Sequence, residues 1–349
     1  MRRPMLKTKL ASWFGLAASV AMAASGVELK LAHLAPDGSL WDKAIEEMGA
    51  EWRRRSNGQV SLKIYPGMVA GPDDTVVRKL RHGQLHAAAL SYIGLTAIDD
   101  AFEIFPVPRF YDSYEEYFYV LDKLEPVLEQ RLEDKGLVLL NWGLVGWAHF
   151  FTKKPVAKVD DLKGMRIFTA AGDPEMVHIY QRNGYHPVAL ASTDVITGLQ
   201  TGMIDALPTT PTLALATQWY RRIPYMHEFG LGPVVGATVI TKKAWQRVPE
   251  AIRSDLLKAA RKSEKRLYSE IPRLEIDAIA EMKKRGLEVT ASDDLEEWQR
   301  EADHFIHSMR GTIVPADIFD LAIAARSSYR QQLATTHESE QVGTKSPNP

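Results

Sequence analysis

Asp74-Thr75-Val76-Val77-Arg78-Lys79-Leu80-Arg81-His82-Gly83-Gln84-Leu85-His86-Ala87 has a counterpart later in the chain, Thr193-Asp194-Val195-Ile196-Thr197-Gly198-Leu199-Gln200-Thr201-Gly202-Met203-Ile204-Asp205-Ala206. Each copy opens on polar residues and sets an apolar pair and a Leu at helical spacing. Each then reaches a glycine and continues into a short apolar run. That order reads as an N-cap, one buried helix stripe, a glycine in a left-handed C′ conformation, and a strand. Polar loop residues follow both copies, Ser91-Tyr92 after the first and Thr209-Thr210 after the second. The repetition predicts two similar α/β lobes. Their strand ends would face each other across a cleft, and such crevices are where open α/β sheets bind ligands.

Outward from the first copy, residues 27–33 alternate as a first strand. Ser39 with Asp42 begins a helix whose face carries Trp41, Ala44, Ile45, Met48 and Trp52. Asn57-Gly58 ends it, and residues 59–65 are the next strand. A long helix over 114–135 is closed by Gly136, and a strand follows over 137–142. This β-α-β-α-β order demands a mainly parallel sheet with helices on both faces. Around Gly143 and Gly146 the character changes. Residues 147–152 read as a separate aromatic strand, followed by strands over 165–168 and 186–190 and a helix over 174–183. The small and β-branched strand over 234–241 is expected to return to the first sheet. A helical pattern over 249–285, with Pro272 inside, is long enough to brace both lobes.

The ends and the composition bound the class. Arg2, Arg3, Lys7 and Lys9 precede an apolar stretch over 10–24 that holds Ala21-Met22-Ala23, the pattern of a secretory signal peptide cut after Ala23. The stretch is too short to span a bilayer comfortably. The chain has no cysteine, which excludes disulfides, thiolate metal sites, cysteine nucleophiles and a Cys-linked lipid. Lys+Arg 43 against Asp+Glu 44 leaves no basic footprint for nucleic acid. The boundaries expected are a signal peptide over 1–23, lobe I over 24–145 plus about 232–262, lobe II over 146–231 plus about 263–334, and a disordered polar tail over 335–349.

Leu29-Lys30-Leu31-Ala32-His33, Asp160-Asp161-Leu162-Lys163-Gly164-Met165-Arg166-Ile167 and Leu199-Gln200-Thr201-Gly202-Met203-Ile204-Asp205-Ala206 come in a characteristic order and spacing. In these stretches the chain resembles the solute-binding proteins of tripartite ATP-independent periplasmic (TRAP) transporters, the DctP-like family. The resemblance covers nearly the whole chain after the leader. It implies a two-lobed periplasmic-binding fold, a long lobe-spanning helix and closure around one small solute. In the family, the Asp-Leu-Lys-Gly segment leads, after three more residues, to an arginine that clamps the solute's carboxylate. Here that position is Phe168. A second family arginine precedes an aromatic-Thr pair, and here His149 precedes Phe150-Phe151-Thr152. The amide- and acid-bearing loop of the family is Leu207-Pro208-Thr209-Thr210-Pro211 in this chain.

The candidate ligand-binding residues are His33, Trp41, Ser91, Tyr92, Arg109, Trp147, His149, Phe168, Thr209 and Thr210. Each also has a plain structural reading. Phe168 and Trp147 form an aromatic pocket wall or fill the second lobe's core. His149 donates to a ligand oxygen or is a satisfied core histidine, charged only below about pH 6.5. His33 stands at a strand end near the cleft or holds a loop. Thr209-Thr210 and Ser91-Tyr92 present preset hydroxyls to a ligand or cap the helices that follow. Arg109 is a relocated cation or a solvated surface arginine. Arg166 sits two residues before Phe168, on the same strand face.

G-x-S-x-G, H-E-x-x-H and G-x-x-x-x-G-K-[ST] are all missing from the sequence, and the adjacent Asp pairs at 73–74, 99–100, 160–161 and 293–294 read as caps and turns. The expected function is capture of a small molecule and delivery to the membrane subunits of a TRAP-type transporter, as a monomer, with no cofactor, metal, nucleic acid or covalent chemistry. Loss of both clamp cations points to a neutral or largely apolar solute, because a buried carboxylate without a cation costs several kcal/mol. The alternatives are an organic monocarboxylate held by Arg109, Arg166 or backbone N–H groups, an enzyme on the same fold, and an interaction subunit whose cleft is self-filled.

Overall fold

The computed structural model describes residues 26–343; the leader through residue 25 and residues 344–349 lie outside the described residues. The first lobe begins β1 (Val27–His33), α1 (Leu40–Arg55), β2 (Val60–Tyr65), α2 (Asp73–Arg81), β3 (Ala87–Ser91), α3 (Tyr92–Thr96), α4 (Tyr114–Asp134) and β4 (Leu137–Thr152). The second continues α5 (Val159–Lys163), β5 (Arg166–Ala170), α6 (Pro174–Arg182), β6 (His186–Leu190), α7 (Val195–Thr201), β7 (Ala206–Thr209), α8 (Pro211–Ala216) and β8 (Tyr225–His227). The chain then returns through β9 (Gly232–Thr241), α9 (Lys242–Trp245), α10 (Glu250–Lys283), β10 (Glu288–Thr290), α11 (Leu295–Met309) and α12 (Ala316–Gly343). No helix among the described residues is long and apolar enough to cross a membrane.

The two copies of the opening motif occupy equivalent places. The strand order is β2-β1-β3-β9-β4-β7-β5-β6. In β1–α1–β2–α2–β3 the first strand is central and parallel to the other two. In β5–α6–β6–α7–β7 the first strand is again central and parallel to its partners. The glycine after each motif helix is left-handed, Gly83 at φ 68° and Gly202 at φ 76°, a region an L side chain enters only with strain. Both third strands lie against an antiparallel centre, β3 on β9 and β7 on β4. β9 thus returns to the first sheet, as its small and β-branched residues predict.

The sequence predicts two strands around Gly143 and Gly146; the structure has one. β4 runs for 16 residues from lobe I into lobe II, pairing first with β9 and then with β7 and β8. The glycines produce a bulge rather than an end. The register shifts between Leu144 and Gly146, and Gly146 sits at φ 144°. A Cβ at Gly146 would fall on the Glu275 carboxylate and within 3.0 Å of Thr210 Cβ.

Helix α10 has 34 residues, roughly 50 Å, and continues through Pro272. Its Leu256, Ala259 and Ala260 pack with β1 and α1, and Leu267 and Ile271 join the largest core. Its Met282 packs with α7 and β7. One helix therefore braces both lobes, and the chain also crosses between them in β4 and β9. Buried Trp52 ties α1 to this brace by donating to the Leu256 carbonyl at 2.9 Å. The predicted disordered tail is a correction in part: α12 carries on from Ala316 to Gly343. Gln, Leu, Ala and Glu favour helix there, and the first proline beyond is Pro347.

Candidate functional site

A cavity of about 210 Å³ lies between the lobes. Lobe I contributes Tyr92 and Ile93 at the start of α3 and the loop 105–108. Lobe II contributes residues 168–170 of β5, the start of α6, and Thr209 and Thr210 at the end of β7. The crossing strands supply Val145 and residues 231–235, and α11 supplies Phe305. Both motif units deliver their strand ends to this place, for the same reason: a short strand stops at a hydroxyl residue that caps the next helix. Ser91 accepts from the Ile93 N–H, and Thr210 accepts from the Leu213 N–H at 3.3 Å.

Of the ten sequence candidates, Tyr92, Phe168, Thr209 and Thr210 line the cavity. Phe168 is half-buried, with its neighbour Thr169 4 % exposed. The other six have structural partners. Ser91 stands one residue behind Tyr92, and its hydroxyl donates to Asp73. His33 is buried with Nε2 3.0 Å from Asp42 Oδ1, and Asp42 also accepts from the Gly38 N–H at 2.7 Å, so the pair fixes the loop into α1. Burial holds the His33 imidazole below its ordinary pKa despite Asp42. Trp41 donates from its indole to the Leu144 carbonyl at 2.8 Å, beside the β4 bulge. Trp147 donates its backbone N–H to Glu275, and its ring meets Tyr114 edge-on at 5.0 Å. His149 is half-buried and places Nδ1 3.0 Å from the His227 carbonyl; burial lowers its pKa, so it is neutral at pH 7.

The two candidate cations stand apart from the cavity wall. Arg109 pairs with Asp112 at 3.0 Å and stacks on Phe229 at 4.5 Å, lining a smaller crevice of about 40 Å³ that shares Tyr180 and Phe305 with the main cavity. The Arg166 guanidinium is half-exposed and holds Asp205 with two bonds, of 2.7 and 2.9 Å. Arg166, satisfied in this way, has little left to offer a solute, whereas Arg109 keeps its buried Nε without a hydrogen-bond partner among the described residues.

Phe105, Asp173, Met176, Tyr180 and Phe305 line the cavity and were not among the candidates. Asp173 had a local signal. It precedes Pro174 at the first position of α6 and accepts from the Met176 N–H at 2.9 Å, so an Asp-Pro after a central strand marks a cap at the cleft. Phe305 had none, since α11 reaches the site only through the tertiary fold. Among the described residues, Asp173 is the one carboxylate in the lining, and no Lys, Arg or His lines it. Burial, more than its neighbour Glu175, holds the Asp173 carboxyl above the usual range.

Residues 31–311 match the bacterial extracellular solute-binding protein family 7, the DctP family. The chain belongs to that family. It is 28 % identical over 293 residues to a solute-binding protein of Albidiferax ferrireducens, covering 78 % of this chain and 83 % of the relative. It is 26 % identical over 262 residues to the C4-dicarboxylate-binding periplasmic protein of Rhodobacter capsulatus, covering 72 % and 76 %. Its fold matches a Bordetella pertussis extracytoplasmic solute receptor binding pyroglutamic acid, with TM-score 0.78 and 22 % identity over 86 % of this chain and 99 % of that one. The chain is therefore an extracytoplasmic solute-binding protein of TRAP type, a class of receptors rather than enzymes.

Proposed function

We propose that this receptor captures a small neutral or largely apolar solute between its lobes and passes it to the membrane subunits of a TRAP-type transporter. The observation that carries the reading is the cavity wall: aromatic and aliphatic side chains with threonine hydroxyls and one carboxylate, Asp173, and no cationic side chain among the described lining residues. A C4-dicarboxylate, for which the Rhodobacter relative is named, would bring two charges into that wall and find no cation to pair with. A solute that touches α3 on one lobe and β5 and β7 on the other favours the closed arrangement by its differential affinity. A library screened by thermal unfolding tests this. A neutral or largely apolar compound is expected to raise the melting temperature, by about 2.7 kcal/mol of stabilisation at a hundredfold excess over Kd. Incubation of that compound with the protein is expected to give no product. Stabilisation by dicarboxylates alone, or turnover above background, would contradict the reading.

The location is part of the proposal. The charged start, apolar run and Ala21-Met22-Ala23 site support export to the periplasm with cleavage after Ala23. N-terminal sequencing of the exported protein should begin near Ala24; an intact Met1 on membrane-bound material would count against it.

A further inference from the structure

Asp173 is 4 % exposed in the cavity wall, and its role as a helix cap uses one oxygen, Oδ1. Oδ2 has no donor among the described residues. Thr169 lines the same cavity, is 4 % exposed, and its Oγ1 has no hydrogen-bond partner among the described residues. The free Asp173 oxygen can only accept, so it points to a donor that arrives with the solute, and the Thr169 hydroxyl, which can donate or accept, offers a second polar contact. Five aromatic rings line the same space, Tyr92, Phe105, Phe168, Tyr180 and Phe305, with Tyr180 and Phe305 edge-to-face at 5.6 Å. Aromatic faces attract cations, and rings grouped around one space are the usual receptor for an alkylammonium group.

Resting on the receptor reading above, we propose that the largely apolar solute carries an ammonium group, which sits among these rings and donates to Asp173 Oδ2. An empty cleft leaves Asp173 Oδ2 without a donor, and a cation carried by the solute supplies one. A neutral solute would leave Asp173 facing rings with its charge unpaired. An acid would add a like charge to the wall. The ligand's charge thus decides recognition.

The test is calorimetry on the full mature chain with matched triplets that share one apolar body, such as 2-phenylethylammonium, 2-phenylethanol and phenylacetate, with several bodies in the set. The ammonium member is expected to bind at least about tenfold more tightly than the alcohol, as a charge-assisted bond allows, and the acid least. Asp173→Asn keeps an oxygen for the Met176 N–H, so the α6 cap survives and the variant should fold. It is expected to lose the preference for ammonium over alcohol. Tightest binding by an alcohol or an acid, survival of the preference in Asp173→Asn, or no binding by any ammonium member would overturn the inference and leave the receptor reading standing. If no compound of any charge binds and the purified protein releases no solute, the receptor reading itself falls with it.

Discussion

Phe168→Arg is expected to weaken capture of the natural solute and to improve binding of small organic acids by about tenfold to a hundredfold, the range of one or two charge-assisted bonds. The physical ground is the position of Phe168. It lies on β5 at the cavity, half-buried, where the family resemblance implies a clamping arginine. The change removes an apolar wall and supplies the cation that an entering carboxylate otherwise lacks. Asp173 lies in the same wall and will compete for the new guanidinium. The gain should therefore be larger when Asp173→Asn is combined with Phe168→Arg. If Phe168 served only as packing, the charge would be buried unpaired and the protein would lose on the order of 3–5 kcal/mol. A melting curve and an organic-acid titration separate the two: a folded variant that binds acids supports the site, and an unfolded one supports plain packing.

The second large effect is expected at the crossing between the lobes. Glu275 of α10 is 7 % exposed and accepts from the Trp147 backbone N–H and the Tyr114 hydroxyl, holding β4 just beyond its bulge. Burial pushes its carboxyl up to about 7, and the two donors only partly oppose this. The folded chain therefore holds a proton that the unfolded chain, at its ordinary value of 4.5, gives up. The stabilisation is fully present below about pH 4.5 and is lost as pH rises through 7. It amounts to on the order of 3 kcal/mol across that window. Glu275→Gln keeps acceptor and donor in place and removes the titration. Its melting temperature should fall less between pH 5 and pH 8 than that of the parent protein. Glu103, pushed up to about 8, titrates in the same sense in both proteins and cancels in the comparison. His227 has the opposite sign: burial pushes it down to about 4, so its contribution is lost as pH falls from 6.5 towards 4, again equally in both. Glu275→Ala leaves the Trp147 N–H and the Tyr114 hydroxyl without their partner and should cost about 2–5 kcal/mol at every pH. Equal pH slopes for parent and Glu275→Gln would show that this carboxyl does not titrate with folding.

The parts of the fold legible in the sequence are those set by local chemistry. Gly83 and Gly202 mark helix ends because only a glycine turns left-handed there without strain, and Ser39, Ser91 and Thr210 mark helix starts because their oxygens take free N–H groups. Those signals also place Tyr92, Thr209 and Thr210 at strand ends, and hence at the cleft. Gly143 and Gly146 misled because glycine punctuation looks the same whether a strand stops or bulges; the β9 partner that carries β4 onward comes from 93 and 88 residues further along, at Gly236 opposite Gly143 and Val234 opposite Gly146. His33 and His149 stand near strand ends as a ligand-binding residue would. What faces them, Asp42 and the His227 carbonyl, is announced by no short pattern. Tyr180 and Phe305 reach the wall from helices whose own periodicity marks them only as core.

Mass spectrometry of the small molecules released by denaturing the protein purified from the periplasm tests the central claim most directly. The account predicts one small solute, near one per chain, that is neutral or largely apolar and is lost from Phe168→Arg. Release of a C4-dicarboxylate, or of nothing from a protein that also binds no compound offered to it, would contradict it.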